Sequence, residues 1–198
     1  SLLLAQSMRK FGYEVSIIDA NAENLSNEEI FKRIKDLNPK LLVFVVYGQN
    51  VNAGTANMDG ALQVSNYIKS KDKNYFISYV GSYVQALPVK ALTDEKSIDL
   101  VFTNEGVYAL KNLLKLKNFD QNFLDKIDGI AFRKDSNVKI NKSEKVVPND
   151  RMDVDLPGYA WDLLPYEKNP LDLYRSPMWH AEYDNEKRSP YAALQTSL

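Results

Sequence analysis

Seven consecutive apolar residues, Leu41-Leu42-Val43-Phe44-Val45-Val46-Tyr47, lie between a helix-ending Pro39 and a polar stretch that opens at Gly48. The run is far too short to span a bilayer. It also lacks the alternation of a strand with one wet face. It reads as a strand buried on both faces, and such strands belong to parallel sheets covered by helices on either side.

The flanking sequence repeats that alternation. Leu4, Met8 and Phe11 recur at i, i+4 and i+7, with Gly12 at a helix C-cap position, so the chain opens as a helix. Residues 13–20 read as a strand through Val15, Ile17 and Ile18. Ser26 and Glu29 form a capping-box pattern, and Ile30, Ile34 and Leu37 share the helical face behind it. Residues 48–57 read as a polar loop with two glycines. Met58, Ala61, Leu62, Ser65 and Ile68 then mark a third helix. A strand at 75–80 closes on Gly81, a short helix is expected at 88–92, and another strand at 98–103. Val107, Leu110, Leu113 and Leu114 form the next helix face. This order predicts an α/β fold: a doubly wound, mostly parallel, Rossmann-like sheet of flavodoxin-type strand order. Such a domain normally begins with a strand. Residues 1–118 are therefore expected to be an α/β domain whose first strand is missing.

Residues 119–150 read as a β-hairpin extension, with strands at 127–133 and 138–140 around an Asp135-Ser136-Asn137 turn. Residues 151–198 hold Pro157, Pro165, Pro170, Pro177 and Pro190 with Trp161 and Trp179. They read as an extended connector that packs on this domain or on a following one.

Composition narrows the function. The 198 residues are 44% apolar, with 25 basic against 26 acidic side chains and a net charge of -1. No basic stripe stands out, which disfavours nucleic acid and anionic membranes as partners. The absence of cysteine excludes disulfides and thiolate metal sites in this chain and fits a cytoplasmic setting. The only histidine, His180, lies beside Trp179 and Glu182 in the connector and reads as a packing or surface residue, and 182–188 reads as a solvated charged stretch. There is no G-x-G-x-x-G, P-loop or G-x-S-x-G pattern.

In open parallel sheets, ligands bind beyond the carboxyl ends of the strands. Three such ends are legible: Tyr47, Gly48, Gln49 and Asn50; Gly81, Ser82 and Tyr83; Thr103, Asn104, Glu105 and Gly106. The glycines would let a bulky ligand approach the backbone. Asn50, Ser82 and Asn104 could donate and accept hydrogen bonds, and Glu105 lies at the start of a helix. No metal ligand and no catalytic residue is expected.

The order of motifs resembles the N-terminal cobalamin-binding domain of the cobalamin-dependent radical S-adenosylmethionine enzymes. The likeness runs through Phe11-Gly12-Tyr13-Glu14-Val15 with Asp19, then Asn38-Pro39-Lys40-Leu41-Leu42-Val43. Val80-Gly81-Ser82-Tyr83-Val84 with Leu87-Pro88 comes next, followed by Ile98-Asp99-Leu100-Val101-Phe102-Thr103-Asn104-Glu105-Gly106. Ile127-Asp128-Gly129-Ile130, Asp155-Leu156-Pro157 and Asp162-Leu163-Leu164-Pro165 complete it. Gly81-Ser82 replaces a paired glycine, and Asn104 and Val107 replace the outer residues of a Gly-Glu-Gly-Glu turn. The resemblance implies that the three strand ends seat cobalamin, with no cobalt ligand assignable here. It also implies that a downstream barrel, not present in this sequence, holds a four-iron cluster and S-adenosylmethionine. On that reading the chain binds, and the parent enzyme performs methyl transfer or ring-forming radical chemistry. The alternatives are a domain that kept the fold without the cofactor and serves as an interaction module, and one half of a glycosyltransferase. A signalling receiver is disfavoured, because Tyr47-Gly48 and Asn104-Glu105 do not supply its aspartate and lysine.

Overall fold

The computed structural model describes residues 1–48 and 51–165. Helix α1 spans Leu2–Lys10 and ends at Gly12, whose φ of +89° gives the left-handed turn that a glycine takes readily. Helix α2, Asn27–Leu37, starts at the expected capping box: the Ser26 amide donates to Glu29 Oε2 at 2.8 Å and the Glu29 amide to Ser26 Oγ at 3.3 Å. It stops at Asn38, which is left-handed ahead of Pro39.

Five strands form one sheet in chain order: β1 (Leu42–Val45), β2 (Ile77–Val80), β3 (Leu100–Phe102), β4 (Ile130–Lys134) and β5 (Asn137–Ile140). The first three are parallel; β4 and β5 continue the sheet as an antiparallel hairpin, turning at Asp135 with φ +52°. Helices cover both faces, and the fold is the expected Rossmann-like α/β. On one face α1, α6 (Val107–Leu114) and α7 (Gln121–Leu124) bury Met8, Leu110, Leu113 and Leu124 against Leu100, Phe102, Ile130 and Phe132. On the other, α2, α3 (Val51–Lys71) and α5 (Pro88–Asp94) bury Ile30, Ile34, Ile68 and Leu92 against Ile77, Tyr79 and Val101. Each fully buried aliphatic contributes about 1.5–3 kcal/mol over its exposed state.

Three expectations need correction. Burial on both faces holds for β2 and β3, whose residues are all buried, but β1 is only half-buried, because it is an edge strand paired to β2 alone. The amides of Leu42 and Val46 donate to Phe76 and Val80, so those of Val43 and Val45 turn to the outer edge, where no strand pairs among the described residues. Residues 13–20 join no ladder. Their apolar pattern is met by packing instead: Tyr13 and Val15 lie on one core cluster, Ile18 and Ala20 on the other. A strand needs a hydrogen-bonding neighbour as well as an apolar pattern, and the expected flavodoxin-type order is not seen among the described residues, whose five strands lie in chain order. Third, α3 begins at Val51, seven residues before Met58. Gly54 sits in it because a Cβ there would lie 2.6 Å from Ser82 Oγ; the glycine marks close packing of a helix on α4 (Ser82–Ala86), not a loop.

The connector turns back on this domain as far as Pro165. After a single 3-10 turn comes α8, Met152–Asp155. Ser7 Oγ donates to the Asp155 carbonyl at 2.6 Å and Tyr108 Oη to its carboxylate at 2.7 Å. Arg151 pairs with the same carboxylate at 2.9 Å. Further on, one guanidinium nitrogen of Arg9 contacts both Asp162 carboxylate oxygens, at 2.8 and 2.9 Å. Trp179, His180 and residues 182–188 lie outside the described residues.

Candidate functional site at the carboxyl edge of the sheet

Because β1, β2 and β3 are parallel, their carboxyl ends open on one edge. The loops after them are tied together by a residue the sequence reading did not single out. Gln85 of α4 donates from Nε2 to Tyr47 Oη at 3.1 Å and to the Asn104 carbonyl at 2.7 Å. Asn57 Nδ2 holds the Tyr47 carbonyl at 2.9 Å. The Asn104 side chain is used within the protein: Oδ1 accepts from the Gly106 amide at 2.9 Å and Nδ2 donates to the Glu144 carbonyl at 3.0 Å. The Thr103 amide donates to the Gly129 carbonyl at 2.9 Å.

The glycines have a different use from the one expected. Gly81 has φ +152°, and a Cβ on it would lie 2.0 Å from the Val46 carbonyl oxygen. Gly106 has φ +80°, and a Cβ would lie 3.2 Å from the Phe102 ring. Both let the protein approach itself: on the side a Cβ would occupy, Gly81 meets the end of β1 and Gly106 a core ring. The outward groups are Tyr47, 46% exposed, and Glu105, also exposed, with Gly48, Ser82 and Tyr83 half-buried beside them. Partial burial pushes the Tyr47 phenol pKa up; the hydrogen bond from Gln85 opposes this and the Glu105 charge adds to it. Gln49 and Asn50 lie outside the described residues.

The structure thus brings Tyr47, Gly81, Ser82, Tyr83, Asn104 and Glu105 to one rim. The sequence held one cue to Gln85. It is a polar residue one turn past Gly81, between apolar Val84 and Leu87, and its amide bonds back to the Gly81 carbonyl. Asn57 and Glu144 gave no cue, since their partners are distant in sequence.

A separate cleft of about 510 Å³ is lined by Ile17, Glu23, Arg33 and residues 162–165, and shares no residue with the rim. Its charges are already paired, Arg33 with Glu23 at 2.7 and 2.9 Å and Asp162 with Arg9. Among the described residues no acidic or histidine cluster could hold a metal ion, and no helix is long and apolar enough to cross a membrane.

Residues 1–114 match the B12 binding domain family. The chain belongs to that family, which sets aside the glycosyltransferase reading. Over 166 residues, 84% of the chain, it is 27% identical to an uncharacterized methyltransferase of Pyrococcus horikoshii, covering 34% of that protein. Over 158 residues, 79% of the chain, it is 27% identical to the anaerobic magnesium-protoporphyrin IX monomethyl ester cyclase of Synechocystis, covering 30% of it. The chain therefore spans about a third of the length of these relatives. Among solved structures, the cobalamin-dependent S-adenosylmethionine radical enzyme OxsB superposes with a TM-score of 0.51 at 21% identity, over 79% of this chain and 22% of that one, a likeness of fold.

Proposed function

We propose that the chain is the cobalamin-binding module of a larger cobalamin-dependent radical S-adenosylmethionine enzyme, with the corrin ring resting on the rim formed by Tyr47, Gly48, Gly81 to Tyr83 and Thr103 to Gly106. The observation that carries this is the bridge from Tyr47 through Gln85 to Asn104, which gathers three strand-end loops into one surface at the edge where parallel sheets take ligands. The polar groups suit the cofactor: the exposed Tyr47 phenol can donate and the Glu105 carboxylate accept, matching a ring edged with amide groups. Cobalamin supplies one-carbon or radical chemistry when bound. The chain's own part is to bind and orient it. No cobalt ligand is assigned, because the sole histidine, His180, lies outside the described residues.

The four-iron cluster and S-adenosylmethionine belong, on this proposal, to further domains of the parent protein. The roughly threefold greater length of the relatives and the fold shared with OxsB, a cobalamin-dependent S-adenosylmethionine radical enzyme, support that reading. A cytoplasmic setting is part of this proposal, with which a cysteine-free chain is compatible, and neither nucleic acid nor membrane is a proposed partner.

The test is a titration of hydroxocobalamin into the 198-residue chain, read by visible absorbance and by pigment co-eluting on gel filtration. Saturable one-to-one retention is expected. A chain that melts cooperatively yet retains no pigment would instead be a domain that kept the fold and lost the ligand.

A further inference from the structure

The bridge across the rim has a direction. The Asn104 backbone oxygen can only accept, so the group 2.7 Å from it must be the Gln85 NH2 and not its carbonyl. The second hydrogen of that NH2 then points at Tyr47 Oη, 3.1 Å away. Tyr47 therefore accepts from Gln85, and its own hydroxyl hydrogen has no acceptor among the described residues. The tyrosine is 46% exposed at the carboxyl edge, so that hydrogen is available to whatever occupies the rim.

We propose that Gln85 is a positioning residue that sets the polarity of the rim: by occupying the Tyr47 oxygen as a donor, it leaves the Tyr47 O–H to donate to the ligand, and so selects an oxygen acceptor there. This rests on the cobalamin reading, in which the acceptor is a carbonyl oxygen of one of the ring's amide side chains. Gln85 sets this polarity through Tyr47 and is not itself proposed to touch the ligand.

Polarity and simple bracing make different predictions. Gln85→Leu removes both bonds and introduces no acceptor, so Tyr47 can still donate outward. Gln85→Glu puts an acceptor-only carboxylate beside Tyr47, which turns the O–H inward and away from the ligand. A mere brace would fail in both variants, because neither leucine nor glutamate can donate to the Asn104 carbonyl, so under bracing alone leucine would lose as much as glutamate.

Hydroxocobalamin is titrated into the wild-type chain and into Tyr47→Phe, Gln85→Leu, Gln85→Glu and the Tyr47→Phe/Gln85→Glu double variant, with a melt of each. Tyr47→Phe is expected to weaken binding about five- to tenfold, the loss of one net hydrogen bond. Gln85→Glu is expected to match it, the double variant to be no weaker than either, and Gln85→Leu to lose clearly less. A loss in Gln85→Leu equal to or above that of Tyr47→Phe overturns the inference and leaves the cobalamin reading standing. That comparison decides the matter even if Gln85→Glu fails to fold. Wild-type chain that binds nothing removes the cobalamin reading, and this inference with it.

Discussion

At the carboxyl edge of the sheet the loops are held to one another by neutral amides, Gln85 on Tyr47 and Asn104, and Asn57 on the Tyr47 carbonyl. On the face of α1 and α6 the connector is held at two carboxylates: Tyr108 donates to buried Asp155, which Arg151 of the connector itself pairs with, and Arg9 pairs with Asp162. Neutral bonds in a partly exposed rim are worth little net, whereas charge-assisted bonds to a buried carboxylate are roughly twice as strong. The rim bonds therefore orient groups more than they stabilise the fold, and the bonds to buried Asp155 do the reverse. Several residues that carry the family resemblance belong to the second kind of structure. Asp155 and Asp162 are pins. Asp99 accepts from Lys69 at 2.6 Å and from the Ile77 amide at 2.7 Å, fixing the start of β2.

The sharpest way to break this contrast is Gly81→Ala. Its Cβ would collide with the Val46 carbonyl at the junction of β1 and β2, so a loss of about 3 kcal/mol or more is expected in chemical denaturation, together with loss of the rim. Asp155→Asn is expected to cost about 1–3 kcal/mol while leaving hydroxocobalamin binding unchanged. The Asp155 carboxyl is held below its ordinary pKa by hydrogen bonds from Arg151 and Tyr108. Its contribution is therefore complete above about pH 4 and drains as pH falls through the lowered value, so wild type and Asp155→Asn should converge in acid melts. Arg9→Ala removes an exposed pair and should cost under about 1 kcal/mol, again without effect on ligand titration. A connector variant that weakened cobalamin binding would erase the distinction between the two regions.

Much of the architecture was legible because it is local. The capping box at Ser26 and Glu29, the helix stop at Gly12 and the turn at Asp135 need no distant partner. What misled was pattern without partner. Residues 13–20 have the composition of a strand, but no sequence window reveals whether a neighbour will pair with them. Gly54 resembled loop punctuation because the atom it makes room for, Ser82 Oγ, is 28 positions away. At the site, the strand ends could be placed from the alternation alone, yet the reason for their glycines could not. Val46 and Phe102 claim those spaces only once the chain has folded.

The strands that neighbour one another in space also follow one another in sequence. No ladder has to wait for a segment from the far end of the chain, so the entropy of closing each loop stays low. The hairpin of β4 and β5 closes over a two-residue turn, the cheapest pairing available, and offers its flank to β3. Addition can proceed strand by strand from there, with β1 last. The rim around Tyr47 would then come together only at the final step, making an assembled rim a sign that everything behind it is already in place.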